Sequence, residues 1–130
     1  MASIGNITFA CKDPPLLAAF WASVLGYRIQ AVPPEFLEAL EAEGLDLNMA
    51  AAIVDPQGNG PRLFFEKKDK SPTQTAPIHL DVNTSDRATE VSRLVALGAS
   101  EIETRTRSIG PYTEEWTFMR DPEGNGFCVQ

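Results

Sequence analysis

Two short stretches of the chain alternate apolar and polar residues, and each leads into a helical pattern. Apolar residues occupy every second position of residues 7–11 and of residues 78–82, which predicts a strand in each place. Each strand is followed by apolar residues at spacings of three and four, the pattern of one buried helix face. We expect Asp13 to cap the first helix, and Thr84 or Ser85 to cap the second.

Three further strands are predicted after each helix. A separate short amphipathic helix is predicted over residues 33–44, which begin with proline, end with glycine and have no counterpart in the second half. The pattern indicates an α+β fold of two tandem βαβββ modules that form a curved mixed sheet around a cleft. The further strands are residues 27–32, 48–54 and 62–66 in the first half, and residues 100–106, 112–119 and 126–130 in the second.

A six-residue turn occurs once in each half of the chain. Residues 55–60 are Asp-Pro-Gln-Gly-Asn-Gly and residues 121–126 are Asp-Pro-Glu-Gly-Asn-Gly, so five of the six positions are identical. Asp-Pro starts a turn, and the first glycine supplies a positive φ. Two such turns in a short chain indicate an internal duplication. We therefore expect one domain over residues 1–130, with module one at 1–66, a polar linker at 67–77 and module two at 78–130.

The side chains that face away from the two predicted helices are the candidate site residues. Because successive residues of a strand point to opposite faces, Asn6 and Thr8 should face away in the first strand, and His79 and Asp81 in the fifth. Cys128 should face away in the last strand. A polar sheet face of this kind is either a small-molecule cleft or a surface covered by solvent, and alternation alone leaves both open.

Aromatic residues and the inserted helix leave further alternatives open. Trp116 and Phe118 share a strand face with Tyr112, so this row is either a stacking surface for an aromatic ligand or part of the core. The inserted helix is either a lid over the cleft or a dimer contact. Glu66 and Glu115 are carboxylates, and they are candidates to supplement His79 as metal ligands.

Composition and charge narrow the range of partners. The net charge of −7 argues against nucleic acid, because binding a phosphate backbone needs clustered Lys and Arg, and it is compatible with a cationic small molecule. Cys11 and Cys128 form no framework of spaced pairs, so we expect free thiols in a reducing, cytoplasmic compartment. No stretch approaches ~18 consecutive apolar residues, and no signal peptide is evident, so we expect no membrane partner.

Three motifs in order along the chain resemble one superfamily. They are Leu-Gly-Tyr at residues 25–27, His-Leu-Asp-Val at residues 79–82, and Asp-Pro-Glu-Gly-Asn-x-Phe-Cys at residues 121–128. Together they resemble the vicinal oxygen chelate superfamily (glyoxalase I, bleomycin and fosfomycin resistance proteins, extradiol dioxygenases), and its glyoxalase-like domain subgroup in particular. The resemblance covers essentially the whole chain. It implies the glyoxalase/bleomycin-resistance/dioxygenase fold, a small-molecule ligand and a homodimer.

The resemblance also implies where a metal site would lie. Metal-dependent members of the superfamily place one ligand on each of four strands, and those positions fall on Asn6, Arg62 or Leu63, His79 and Cys128. Of these, only His79 is a usual ligand for a hard or borderline divalent ion. We therefore expect the metal site to be dismantled here, with neither a metal nor another cofactor bound.

The predicted function is a metal-independent, glyoxalase-like small-molecule-binding protein. His79 is the best candidate for a catalytic group, oriented by Asp81 or paired with Cys128, whose thiol pKa would then be lowered. One alternative is a metal-dependent lyase, isomerase or dioxygenase in which these three residues bind the ion. Another is a drug-sequestering protein of the bleomycin-resistance type. The predicted ligand-binding residues are Asn6, Thr8, Arg62, His79, Asp81, Trp116 and Cys128.

Overall fold

The computed structural model contains two four-stranded sheets and three helices in the residues that it describes. Those residues are 4, 6–68, 79–109 and 111–130, without the side chains of Ile109 and Tyr112. The chain divides into two compact units at residues 1–70 and 71–130. Predictions for the linker beyond residue 68, for Ile78 and for the Tyr112 side chain lie outside the described residues. No helix in the described ranges is long and apolar enough to cross a membrane.

The first unit contains one complete βαβββ module and the inserted helix. The elements are β1 (Asn6–Cys11), α1 (Pro14–Leu25), β2 (Arg28–Ile29), α2 (Pro34–Ala42), β3 (Ala50–Val54) and β4 (Arg62–Lys67). The sheet has the order β1-β4-β3-β2, in which β1 pairs with β4 in parallel and the other neighbours are antiparallel.

The second unit repeats the same topology without the inserted helix. Its sheet has the order β5-β8-β7-β6, again with the first and last strands of the module paired in parallel. The prediction of a βαβββ pattern in each half is therefore confirmed. The elements are β5 (Leu80–Val82), α3 (Arg87–Ala96), β6 (Ser100–Ile109), β7 (Tyr112–Arg120) and β8 (Gly126–Val129).

Helix α1 begins and ends as its sequence predicts. Asp13 accepts a hydrogen bond from the backbone N–H of Leu16 at 3.2 Å, and Gly26 ends the helix in the left-handed conformation with φ 69°. The helix packs its buried face on the sheet, where Trp21 lies 5.9 Å from the ring of Phe9 and Phe9 stacks on Phe65 at 5.1 Å. This aromatic cluster leaves the other sheet face available for polar and ligand-binding side chains.

The cap of α3 is Asp86, and the prediction of Thr84 or Ser85 was wrong. The Asp86 carboxylate accepts hydrogen bonds from both the backbone N–H of Thr89 at 3.1 Å and its hydroxyl at 2.8 Å. An ionised carboxylate is a stronger acceptor than a hydroxyl, and its negative charge also interacts favourably with the positive end of the helix dipole. These hydrogen bonds hold the pKa of Asp86 below its usual value.

Strand β2 is shorter than predicted. Pairing covers only Arg28 and Ile29, and one further hydrogen bond joins the Gln30 N–H to the Ala52 carbonyl at 2.8 Å. Pro33, which follows, lacks the N–H that a continued ladder would need. The segment after Gln30 therefore leaves the sheet edge and leads into α2.

The repeated turn has the same construction in both units. Asp55 accepts three hydrogen bonds from backbone N–H groups of its own turn at 2.8–2.9 Å. Asp121 accepts two such bonds at 2.9 and 3.0 Å, and it also accepts hydrogen bonds from the side-chain amide of Asn125. Asp121 is only 3% exposed, whereas Asp55 is half-buried.

The last glycine of each turn lies close to an aromatic side chain. A Cβ at Gly60 would overlap the hydroxyl of Tyr27, and a Cβ at Gly126 would lie 2.8 Å from the ring of Phe118. Both turns therefore allow the backbone to approach an aromatic side chain closely, which supports the duplication inferred from the sequence.

We expect Asp121→Ala to lower the free energy of unfolding by roughly 1–3 kcal/mol, because buried donors lose their acceptor. The matched variant Asp55→Ala should cost less, since water can reach the donors of the half-buried turn. Urea unfolding followed by circular dichroism measures both. Equal losses, or no loss in Asp121→Ala, would contradict this account of the two turns.

Candidate functional site

Three polar side chains of the second unit meet on the sheet face that lies opposite α3. Asp81 of β5 is the direct register partner of Cys128 of β8. His79 precedes Asp81 by two residues, and its Nε2 lies 3.2 Å from Oδ1 of Asp81. One potential ligand atom from each of the three residues lies within 4.8 Å of the others. We call these residues the His79 cluster.

The local fold explains this convergence. The alternate residues Leu80 and Val82 pair with Phe127 and Val129, and the last two are fully buried. Burying that set turns Asp81 to the opposite face, because side chains alternate along a strand. Parallel pairing of β5 with β8 then places Cys128 beside Asp81.

Cys128 lies on the predicted face but is buried, with only 7% of its surface exposed. Burial raises the pKa of its thiol, and the negative charge of Asp81 and a hydrogen bond with that carboxylate raise the pKa further. The positive charge of Arg105 acts in the opposite direction. The conditional expectation of a lowered thiol pKa was therefore wrong, because burial and the Asp81 carboxylate both raise the pKa of this thiol.

Part of the predicted metal set fits a cation and part does not. The His79 cluster offers nitrogen, oxygen and sulfur donors, which together suit zinc once the thiol is deprotonated. In the first unit, Asn6 and Arg62 are register partners, and Nη1 of Arg62 donates to Oδ1 of Asn6 at 2.7 Å. The only oxygen donor of that pair is thus bound to a cationic group, so these two positions do not fit a metal.

Arg62 belongs to a second group of polar residues, on the open sheet face of the first unit. Its Nε donates to Oε1 of Gln30 at 2.8 Å, and its guanidinium carbon lies 5.2 Å from the ring centre of Phe64. Two neutral amides and one aromatic face therefore hold the guanidinium in place.

A pocket of about 390 Å³ opens beside this group, within the first unit. Helix α2 covers one side of the pocket and β3 and β4 form its floor, where alanines leave space for a ligand. The volume is near the lower end of the range for small-molecule sites, ~300–1,000 Å³. The lining residues are Gln30, Ala31, Val32, Pro33, Phe36, Leu37, Leu40, Leu47, Met49, Ala50, Ala51, Ala52, Arg62 and Phe64.

The predicted site residues thus fall into two groups, one in each unit. Arg62 lines the pocket and donates a hydrogen bond to Asn6. Thr8 is exposed, and its partner on the neighbouring strand β4 is Phe64. Trp116 is half-buried and pairs with Arg105 of β6. That both groups line one shared cavity stays a prediction.

Two carboxylates considered as additional ligands have other partners. Glu115 forms an ion pair with Arg87 of α3 at 2.7 Å, and Glu66 forms one with Lys68 at 2.9 Å. Both carboxylates are thereby neutralised by a neighbouring cation. Neither belongs to the His79 cluster.

Sequence reasoning missed Gln30, Phe64 and the apolar lining of the pocket. A signal was present, because Phe36 within α2 and Leu47 after it are large apolar residues in the inserted segment and just beyond it. They remain 56% and 46% exposed, although apolar side chains of this size are usually buried. Their exposure follows from the open pocket, which the hydrophobic pattern alone could not distinguish from a packed core.

Comparison with known proteins gives a family and a fold. A family model described as "Glyoxalase-like domain" matches residues 6–130. No curated protein matches the sequence at a significant level. The family match covers both units and all described elements from β1 to β8.

Several solved structures are similar over nearly the full length. One is a glyoxalase/bleomycin resistance protein/dioxygenase family enzyme from Burkholderia phytofirmans PsJN, with a TM-score of 0.69 and 16% identity over 98% of this chain and 97% of that one. Another is a mutant of the fosfomycin resistance protein FosX from Listeria monocytogenes, in complex with Mn(II) and 1S,2S-dihydroxypropylphosphonic acid. Its TM-score is 0.69 and its identity 13%, over 100% of this chain and 90% of that one. At these identities the likeness shows a shared fold.

We expect Asp81→Asn to lower the pKa of the Cys128 thiol, because it removes the negative charge that opposes the thiolate. The pH midpoint of iodoacetamide modification, followed at Cys128 by peptide mass spectrometry, should move down in this variant. Arg105→Met should move the midpoint up. A wild-type midpoint below the ordinary thiol value of about 8.5, or an upward move in Asp81→Asn, would refute the assignment.

Proposed function

The chain belongs to the glyoxalase-like domain family, within the vicinal oxygen chelate superfamily, and we propose that it binds a small, largely apolar molecule without using a metal ion. The binding site is the pocket beside Arg62. The observation that carries this proposal is the chemistry of the pocket lining. Apolar side chains form most of it, and Gln30 and Arg62 supply the polar groups.

The donor chemistry of the first unit supports metal-independent binding. The pocket lining contains no His, Cys, Asp or Glu, which are the side chains that commonly ligate divalent ions. Arg62 lies at the polar end, where its charge would repel a cation. A molecule in this pocket would therefore be held by apolar burial and hydrogen bonds, with no need for a Lewis acid.

The His79 cluster supports a second candidate function, a metal-assisted lyase or isomerase. The observation that favours it is the approach of three different donor types to within 4.8 Å of one another. His79, Asp81 and Cys128 would hold the ion, and a bound zinc would supply Lewis-acid chemistry. The burial that raises the pKa of the Cys128 thiol weighs against this candidate, because a ligating thiol must lose its proton.

The drug-sequestering alternative has less support from the second unit. A cationic aromatic drug would stack on Trp116 and Phe118, yet the guanidinium carbon of Arg120 already lies 5.5 Å from the ring centre of Phe118. The positive charge of Arg120 beside this ring opposes a cationic ligand, whereas Arg105, across the strand from Trp116, is ion-paired with Glu103. A homodimer, a cytoplasmic location and His79 as a proton-transfer group stay predictions.

We expect Ala52→Leu, which adds bulk to the pocket floor, to weaken binding of 4-phenylbutan-1-ol at least about tenfold by removing space for the ring. Ala39→Leu is the matched control, because it adds the same bulk to an exposed position of α2 that does not line the pocket. Isothermal titration calorimetry measures both dissociation constants. Equal affinities in the two variants would show that the ligand binds elsewhere.

We expect protein purified without chelator to contain substoichiometric zinc, nickel, iron and manganese by elemental analysis. Treatment with a chelator should leave 4-phenylbutan-1-ol binding unchanged, since the pocket lining supplies no metal ligands. Stoichiometric metal that is lost in His79→Ala would overturn the metal-independent proposal and favour the second candidate function.

A further inference from the structure

We infer that the ligand of the pocket carries an anionic group, a carboxylate or a similar oxyanion, which Arg62 binds while the apolar walls hold the rest of the molecule. This inference rests on the proposed function of the same pocket and specifies its ligand class. It makes Arg62 a specificity-determining residue, where the sequence indicated a ligand-binding position that is unsuited to a metal.

The positive charge of Arg62 has no carboxylate partner among the described residues. Its two side-chain hydrogen bonds end on the neutral amide oxygens of Gln30 and Asn6. Four other arginines of the described chain instead form ion pairs with glutamates. These pairs are Arg87–Glu115, Arg93–Glu90, Arg105–Glu103 and Arg107–Glu114.

The two hydrogen bonds of the guanidinium leave three of its donors for a ligand. An arginine side chain carries five N–H donors, and the bonds to Gln30 and Asn6 use one on Nε and one on Nη1. One donor on Nη1 and two on Nη2 remain, and guanidinium donors of this kind form strong hydrogen bonds with a carboxylate. Because the amides fix the side chain in place, an anion would bind with little further loss of conformational entropy.

The surroundings of Arg62 strengthen such a contact. Arg62 is half-buried, and most of the pocket lining is apolar, so the contact would form in a medium less polarisable than bulk water. The net charge of −7 opposes an anion at long range, but at physiological salt such repulsion is screened beyond ~8 Å. The local charge of Arg62 therefore decides the preference of the pocket.

Three ligands that differ only in the charged end test this inference: 4-phenylbutyrate, 4-phenylbutan-1-ol and 4-phenylbutylammonium. Isothermal titration calorimetry at pH 7 gives the affinity of each for the wild-type protein and for Arg62→Met, which keeps an apolar stem without the charge. We expect the wild-type protein to bind the carboxylate about tenfold to a hundredfold more tightly than the alcohol. Arg62→Met should abolish this preference, and Arg107→Met, at an exposed ion pair, should retain it.

The alcohol distinguishes failure of the inference from failure of the proposed function. If the alcohol binds as tightly as the carboxylate, or if the preference survives in Arg62→Met, the anion inference is wrong while pocket binding stands. If none of the three ligands binds the wild-type protein up to about 1 mM, the weak end of the affinity scale, both proposals are wrong. The circular dichroism spectrum and the melting temperature of Arg62→Met, compared with those of the wild-type protein, show whether the variant has kept its fold.

Discussion

Parallel pairing between the first and last strands of each module determines where the candidate functional side chains lie. In the first unit this pairing sets Asn6 opposite Arg62, and in the second it sets Asp81 opposite Cys128. Residues that are distant along the chain become neighbours because the two strands form one hydrogen-bonded ladder. Burial of the helix-facing side chains fixes the register, since a shift of one residue would expose them.

The two units share a topology, but the first has a positively charged side chain on its open sheet face and the second has a negatively charged one. The first unit holds a cationic guanidinium between neutral amides, beside an apolar pocket. The second unit places the Asp81 carboxylate beside the His79 ring and a thiol whose pKa is raised by burial and by that carboxylate. Duplication preserved the turns, the strand order and the helix position, while the side chains on the open faces diverged. Those faces can diverge because they contribute little to the packing of the helices on the sheets.

Turn chemistry and periodicity made much of the fold predictable. The cap at Asp13, the glycine that ends α1 and the two Asp-Pro turns act within a few residues, so local sequence is sufficient to identify them. The cap of α3 was harder to place, because Thr84, Ser85 and Asp86 are all good capping residues and only the observed helix start distinguishes them. The length of β2 likewise depended on where the chain leaves the sheet edge after Gln30.

The sequence by itself determined the family, the βαβββ repeat and the face on which His79, Asp81 and Cys128 lie, because these follow from local periodicity and short motifs. Only the tertiary structure decided that Cys128 is buried beside a carboxylate, which reverses the expected direction of its thiol pKa. It alone also brought Gln30 and Arg62 together at the edge of an apolar pocket. Burial, electrostatic environment and empty volume depend on neighbours that are far apart in the chain, and no local pattern specifies them.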